Sequence, residues 1–392
     1  VVQAASAAAW ADEAHVVGYV FGGAKMAVDE KQRLLGLQAL RAFAAGIVAL
    51  GHVGSEFDST FGFSTIKDLR LGFFHSGVDV FFVLSGFVMV YVSSGSFGRS
   101  GYSRDFLIRR IARIAPIYWF YTSVMVAVIL IAPSLAPNSS LDWVHVAASY
   151  LFWPYRSPDG ALGPIYGVGW TLLYEMMFYV VFAGLVWMQK WRAVLALCLI
   201  FVALFCVRLL LISNLPTEIE YWSSPIVFEF AAGAILGALF TDGLRLPRWM
   251  GLALAATAFL LWFAGDAIWG ETEMHVIGRV LKYGIPSALL VAAATIGVGH
   301  KPTGFVWPRW IVLIGDSSYS LYLRHFFSTW ATPFVLERFN LLNLAPWPVW
   351  FVLTFGVAVA TGYISYLLIE RPTLSLTRGW GRRSAKVQRA AS

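Results

Sequence analysis

Ten apolar segments of about 17 to 23 residues each dominate this chain of 392 residues. A helix that rises about 1.5 Å per residue needs about 20 apolar residues to cross the hydrocarbon core of a bilayer, which is about 30 Å thick. Charged residues form only 13% of the chain, against about 25% in soluble proteins. The sequence therefore predicts an all-α, polytopic integral membrane bundle of about ten transmembrane helices in the lipid bilayer. The predicted segments are 34–53, 71–93, 114–133, 166–188, 193–213, 225–241, 249–269, 281–299, 319–336 and 347–369.

The Lys and Arg residues are unevenly distributed among the connecting segments. Twenty of the 29 lie in the two terminal segments and in alternate loops, five lie in the opposite loops, and four lie within apolar segments. Because Lys and Arg accumulate on the cytoplasmic side of membrane proteins, we expect both termini to be cytoplasmic. The same asymmetry accounts for the isoelectric point of about 9.4, so no nucleic-acid partner is expected.

Three regions follow from this pattern. Residues 1–33 form an N-terminal segment, 34–370 the transmembrane domain, and 371–392 a basic, disordered cytoplasmic tail. Residues 1–25 are rich in Ala and lack the basic start and apolar core of a signal peptide, so we interpret them as an upstream extension before Met26. The two cysteines lie within one apolar segment, which indicates packing and predicts neither a disulfide nor a metal site.

An arginine and a histidine share the first apolar segment. Arg41 and His52 are eleven positions apart, which is about three helical turns, so both side chains lie on one face and are separated by roughly 16 Å. Ionisable residues within a membrane are costly and usually functional. Arg41 is suited to holding an anionic group, and His52 is suited to moving protons.

The second apolar segment carries Asp79 and, deeper, Ser85. A carboxylate at this depth needs a partner. One interpretation is that Asp79 holds a ring nitrogen of His52 and fixes its tautomer, as carboxylates do for catalytic bases. The other is a structural Asp–His or Asp–Arg pair that braces two helices.

An arginine cluster precedes the third apolar segment. Arg109, Arg110 and Arg113 lie close together, and Arg109 and Arg113 share a helical face. Guanidinium groups bind phosphates through paired hydrogen bonds. Basic residues at a cytoplasmic interface also set orientation or bind anionic lipid, and the sequence leaves both roles open.

Three further ionisable residues in apolar segments are candidates for the site. Glu175 is deep within the fourth, where it could pair with Arg41, bind a substrate hydroxyl or tie helices together. Glu229 in the sixth and His325 in the ninth are further candidates, as are Ser85 and Arg109. Such residues suit an enzyme, and they equally suit a transporter or flippase for an envelope glycan or lipid that uses them as a proton relay. Transporters usually contain internal repeats, and we find none in the sequence.

Six fragments, in this order, resemble the integral-membrane acyltransferase family 3 from about residue 34 to residue 372. They are Arg41-x10-His52, GVDVFFVLSGF, RRIARIAPIYW, GWTLLYEMMFY, FEFAAG and SYSLYLRHF. The fourth fragment is most similar to the exopolysaccharide-modifying branch. The family pattern leads us to expect an apolar or aromatic residue before His325. Arg324 departs from that pattern.

The resemblance implies an O-acyltransferase. Family members move an acyl group, commonly acetyl, from a cytoplasmic thioester to hydroxyls of surface or exported carbohydrate. We therefore expect acyl-CoA, commonly acetyl-CoA, as co-substrate, with no bound cofactor. We expect a polysaccharide or its lipid-linked precursor as acceptor, and location in the bacterial inner (cytoplasmic) membrane. The residues implied are His52, Asp79 and Glu175 for catalysis and Arg41, Arg110 and Arg113 for donor binding.

Overall fold

The computed structural model describes residues 28–62, 71–133, 141–211, 215–269, 277–298 and 307–376. The predicted extension 1–25 lies outside these residues. Within them the chain is helical, with one isolated bridge between Arg156 and Leu162 and no β-strand, which confirms the all-α fold. The α-helices are α1 (Val28–Phe61), α2 (Gly77–Ser93), α3 (Tyr102–Ile131), α4 (Trp143–Tyr150), α5 (Trp170–Leu185), α6 (Lys190–Leu210), α7 (Thr217–Trp222), α8 (Val227–Thr241), α9 (Arg248–Trp269), α10 (Ile285–Thr295), α11 (Arg309–Asp316), α12 (Ser318–Arg338) and α13 (Trp347–Ser365).

Short turns of other helix types extend several of these elements. A 3₁₀ turn, Leu71–Ser76, leads into α2, and a π turn, Val280–Gly284, leads into α10. A second π turn, Tyr366–Glu370, follows α13. Residues 371–376 continue this helix, and the hydroxyl of Thr373 donates to the carbonyl of Ile369 at 2.6 Å. The rest of the predicted disordered tail, 377–392, lies outside the described residues.

Seven helices of the described chain are long and apolar enough to cross a membrane. They begin at residues 35, 73, 102, 167, 190, 248 and 347, in segments that the sequence predicts. Helices α8 and α10 are apolar but shorter, and α12 carries Arg324, His325 and several hydroxyl groups. The exact number of ten spans therefore remains a prediction.

Helices α1 and α2 form the centre of the bundle, while α6 and α9 expose most of their surface. The most closely packed helix pair is α2 with α8. This contact uses a Gly-x-x-x-Gly stripe on α8, since small residues let two backbones approach. A Cβ at Gly237 would lie 2.7 Å from the carbonyl oxygen of Phe87, and one at Gly233 would lie still closer to that of Val83. The first turns of α2 and α8 are thereby held side by side.

We expect Gly233→Ala to separate α2 from α8, because the added methyl group overlaps the backbone of Val83. Overpacking of this kind costs about 1–3 kcal/mol or more. Thermal unfolding of the purified protein and its abundance in membranes measure the effect. Gly184→Ala on α5 is the matched control, since a Cβ there meets no atom within 4 Å. Equal stability of the two variants would contradict the role given to the α2–α8 contact.

Candidate active site

A cavity of about 110 Å³ lies between α1, α2, α3, α5 and α12. One part of its wall is polar and the rest is apolar, with Val78, Phe82 and Met89 among the apolar residues. Five of the predicted site residues meet here although they lie on four different helices. The polar residues that line it are Arg41, Ser85, Arg110, Arg113, Thr171, Glu175, Tyr179, Tyr319 and Tyr322.

Two of the three clustered arginines on α3 face the cavity. Arg110 is 9% exposed and its Nε atom has no hydrogen-bond partner among the described residues. Arg113, one turn further on, is half-buried and lines the same wall. Arg109 is exposed, does not line the cavity, and lies with its guanidinium 5.3 Å from the centre of the Tyr102 ring. The arginines that line the cavity are thus Arg110 and Arg113, and not Arg109 and Arg113, the pair that shares a helical face.

Arg41 reaches the cavity from α1 and is 9% exposed. Its Nη1 atom donates to Oε1 of Gln38 at 3.3 Å, and Nε2 of Gln38 donates to Oδ1 of Asp316 at 2.7 Å. The carboxylates of Glu370, Asp316 and Glu175 attract its charge, and Arg113 repels it. Three guanidinium groups thus share a small cavity, which is favourable for a ligand that carries negative charge.

Glu175 lies in the same cavity as the arginines but makes its hydrogen bonds elsewhere. Its Oε1 atom accepts from the hydroxyl of Ser85 at 2.9 Å and from the hydroxyl of Tyr179. The interaction with Arg41 that the sequence suggested is therefore electrostatic, without a hydrogen bond between the two. Glu175 fixes the positions of two hydroxyl groups and lowers the net positive charge of the cavity.

Two histidines lie beyond the cavity, toward the C-terminal end of α1. The rings of His52 and His325 have centres 4.9 Å apart. His325 is fully buried, whereas His52 is exposed. The ring of Tyr322, which lines the cavity, lies 5.9 Å from that of His325. Neighbouring side chains therefore connect the arginines of the cavity, through Tyr322, to the histidine pair. Arg324, beside this pair in sequence, donates from Nη1 to the hydroxyl of Ser328 at 3.3 Å.

The predicted Asp79–His52 pair is wrong. Oδ2 of Asp79 accepts a hydrogen bond from Nη2 of Arg279 at 2.8 Å, so the Asp–Arg alternative is the one observed. Glu229, from the first turn of α8, lies against the same carboxylate, and both acidic residues are buried. The physical reason is the α2–α8 contact, which turns Asp79 toward α8 and away from α1. Asp79, Glu229 and Arg279 are called the acidic triad below.

We expect Arg279→Gln to destabilise the protein strongly, because it leaves two buried carboxylates without a counter-charge. Removing one partner of a buried ion pair costs about 3–5 kcal/mol. Thermal unfolding in detergent measures the loss. The matched control is Arg156→Gln, which breaks an ion pair with Glu220 whose side chains are 44% and 37% exposed; such surface pairs contribute about 0–1 kcal/mol. Similar losses in both variants would contradict the structural role of the triad.

Sequence reasoning missed two residues of this region. Arg279 lies just before the apolar segment 281–299, and the available signal for its role is that two intramembrane carboxylates, Asp79 and Glu229, need a cation. Tyr322 lies three positions before His325, a spacing that places both on one helical face. That spacing was the available signal for its position between the cavity and the histidines.

Known proteins resemble this chain over most of its length. The family model of an acyltransferase domain matches residues 34–367. The exopolysaccharide production protein ExoZ of Rhizobium meliloti is 35% identical over 311 residues, which cover 79% of this chain and 91% of the relative. Nodulation protein 10 of Rhizobium leguminosarum bv. viciae is 25% identical over 86% of this chain and 92% of its own length. The putative peptidoglycan O-acetyltransferase YrhL of Bacillus subtilis is 26% identical over 86% of this chain and 54% of its own length.

No solved structure gives a significant match. The family match nevertheless spans the cavity, the histidine pair and the acidic triad, since all of them lie between residues 34 and 367. It favours an enzyme over the transporter that the buried charges alone left open. The chain therefore belongs to the integral-membrane acyltransferase family 3 and is an acyltransferase.

Proposed function

We propose that this protein transfers an acyl group, acetyl in the simplest case, from cytoplasmic acyl-CoA to a hydroxyl of a surface or exported polysaccharide or its lipid-linked precursor. The observation that carries the proposal is the continuous path from three arginines to two histidines through one cavity. The names of relatives support a glycan acceptor, since one is an exopolysaccharide production protein and another a putative peptidoglycan O-acetyltransferase.

The donor enters from the arginine end. CoA carries several phosphates, and guanidinium groups bind phosphate oxygens through paired, charge-assisted hydrogen bonds. Arg110 and Arg113 belong to the segment 94–113, which contains more Lys and Arg residues than any other internal connecting segment. We therefore place this end of the cavity at the cytoplasmic face. This orientation gives cytoplasmic termini in the bacterial inner membrane.

The thioester arm then extends through the cavity toward the histidines. The pantetheine arm is thin and largely uncharged, which suits a cavity with apolar walls. Arg41 and His52 lie about three turns apart on α1, roughly 16 Å, so the same helix contacts the charged part and the reactive end of the donor. Glu175 lines the same cavity and holds the hydroxyl groups of Ser85 and Tyr179 along the path.

His52 acts as the general base. It takes the proton of the acceptor hydroxyl while the oxygen forms a bond to the thioester carbon. The carbon–sulfur bond then breaks, and the proton moves from His52 to the leaving sulfur, which gives free CoA thiol and the new ester. Such acid–base catalysis contributes roughly 10²–10⁴-fold to the rate. Asp79 has no part in this step, because its carboxylate pairs with Arg279.

The biological test is the ester content of the surface polysaccharide. A strain that lacks the protein is compared with the same strain complemented with the wild type or with His52→Ala, and acyl esters are measured by NMR. We expect one ester to disappear in the deletion strain, to return with the wild type, and to remain absent with the variant. An unchanged ester pattern in the deletion strain would contradict the proposed acceptor class.

A further inference from the structure

His52 lacks the carboxylate that usually holds a catalytic histidine. Such a base works best when one ring nitrogen is fixed by a partner, so that the other faces the substrate in the correct tautomer. Among the described residues, no acidic side chain hydrogen-bonds to His52, and Asp79 is held by Arg279. The ring beside His52 belongs to His325, whose centre lies 4.9 Å away.

The backbone of α12 determines the tautomer of His325. Nδ1 of His325 lies 3.2 Å from the carbonyl oxygen of Leu321, and a carbonyl can only accept, so Nδ1 carries the proton. Nε2 is then an acceptor. It is fully buried and has no hydrogen-bond partner within the described part of the chain. An unsatisfied buried acceptor costs about 1–3 kcal/mol, so a donor group is expected to reach it in the working enzyme.

The ring of Tyr322, which also lies next to His325, carries a hydroxyl that is already bonded. The hydroxyl of Tyr322 donates to the carbonyl of Val168 at 2.9 Å and lies 2.9 Å from the hydroxyl of Thr171. His52, by contrast, is exposed and can rotate about its side-chain bonds. At a centre-to-centre distance of 4.9 Å, such a rotation brings a ring N–H of His52 to Nε2 of His325.

We propose that His325 is the positioning residue of His52: its Nε2 atom accepts a hydrogen bond from the His52 ring and leaves the other His52 nitrogen free for the acceptor hydroxyl. This assignment rests on the proposed function. When His52 takes the hydroxyl proton, it becomes positively charged, and its hydrogen bond to Nε2 becomes charge-assisted. His325 itself neither gains nor loses a proton in the step, and the proton still ends on the sulfur of CoA.

Replacing His325 by asparagine or by glutamine separates the roles of its two ring nitrogens. In His325→Asn the short amide occupies the place of Nδ1 and keeps the contact with Leu321, but nothing reaches the place of Nε2. In His325→Gln the longer amide places its oxygen near Nε2 and can accept from His52. We expect kcat to fall about ten- to a hundredfold in the Asn variant, the effect of one charge-assisted hydrogen bond, and clearly less in the Gln variant. The KM for acyl-CoA stays unchanged in both.

A structural role predicts the opposite order, because Asn preserves the bond to the α12 backbone better than Gln. Equal kcat in the two variants, or a faster Asn variant, overturns the assignment. If the wild type transfers no acyl group, the proposed function is wrong, and the assignment of His325 is wrong with it.

A double-mutant cycle gives an independent test. If His325 acts only through His52, His325→Ala lowers kcat in the wild type but has no further effect in the His52→Ala background. A further loss of the same size in that background would show that His325 acts separately, and it would overturn the proposal even where the Asn and Gln variants differ. Membrane abundance of each variant, compared with that of the wild type, identifies loss of folding.

Discussion

Replacing His52 by alanine is expected to reduce acyl transfer to a slow residual rate while the protein still inserts, accumulates and binds acyl-CoA. The loss of a general base lowers kcat by roughly 10²–10⁴-fold. Donor binding stays intact because Arg41 lies about three turns away along α1, and because Arg110 and Arg113 lie on a different helix, α3. Transfer of labelled acetyl by purified variants measures kcat, and calorimetric titration with CoA measures donor binding.

The control for His52 is Ser59→Ala on the same helix. Among the described residues, the Ser59 hydroxyl donates only to the carbonyl of Glu56, at 3.0 Å, and Ser59 is exposed. We expect wild-type transfer from it. A His52→Ala variant that transfers acyl groups at a rate near that of the wild type would exclude base catalysis by His52.

Replacing both Arg110 and Arg113 by glutamine is expected to raise the KM for acyl-CoA far more than that for the acceptor. Each charge-assisted hydrogen bond contributes about 1.5–3 kcal/mol, or roughly ten- to a hundredfold per lost contact. Lysine at both positions should recover only part of the affinity, because an ammonium group cannot make the paired contact of a guanidinium. Steady-state kinetics with each substrate varied in turn measures the two KM values.

Arg109→Gln is the matched control for these arginines. Arg109 is adjacent on α3 and carries the same charge, but it is exposed and does not line the cavity. If the cluster serves only to orient the protein, loss of Arg109 should resemble loss of Arg110, lysine should restore function fully, and abundance should fall with donor KM unchanged. An unchanged donor KM in the double glutamine variant would exclude phosphate binding at this site even if acyl transfer persisted.

The relative positions of residues on one helix could be predicted from the sequence, whereas the contacts between different helices could not. Arg41 and His52 lie on the single helix α1, as their separation of eleven residues predicts. The partner of Asp79 depends on how α2 is rotated about its axis, which is set by the contact of α2 with α8. The two helices are separated by more than a hundred residues, and hydropathy alone does not show that they pack together.

The arginines of α3 illustrate the same difference within a single turn. All three occur within five residues. The sequence therefore places them near one surface but does not show which of them line the cavity. The choice depends on which face of α3 meets α5 and α12, and only Arg110 and Arg113 lie on it. The six residues that the family resemblance assigns to donor binding and catalysis therefore fall into three groups. Four of them line the cavity, namely Arg41, Arg110, Arg113 and Glu175. His52 lies beyond the cavity beside His325, and Asp79 pairs with Arg279 and stabilises the bundle.

The most direct measurement uses purified protein in proteoliposomes, with acetyl-CoA labelled in the acetyl group and a polysaccharide fragment as acceptor. We expect label to become ester-linked to the fragment, with one CoA thiol released per ester formed and with transfer at least about a hundredfold slower for the His52→Ala protein. Movement of the fragment across the membrane without any labelled ester, or identical labelling with His52→Ala, would contradict acyl transfer through the arginine-to-histidine path.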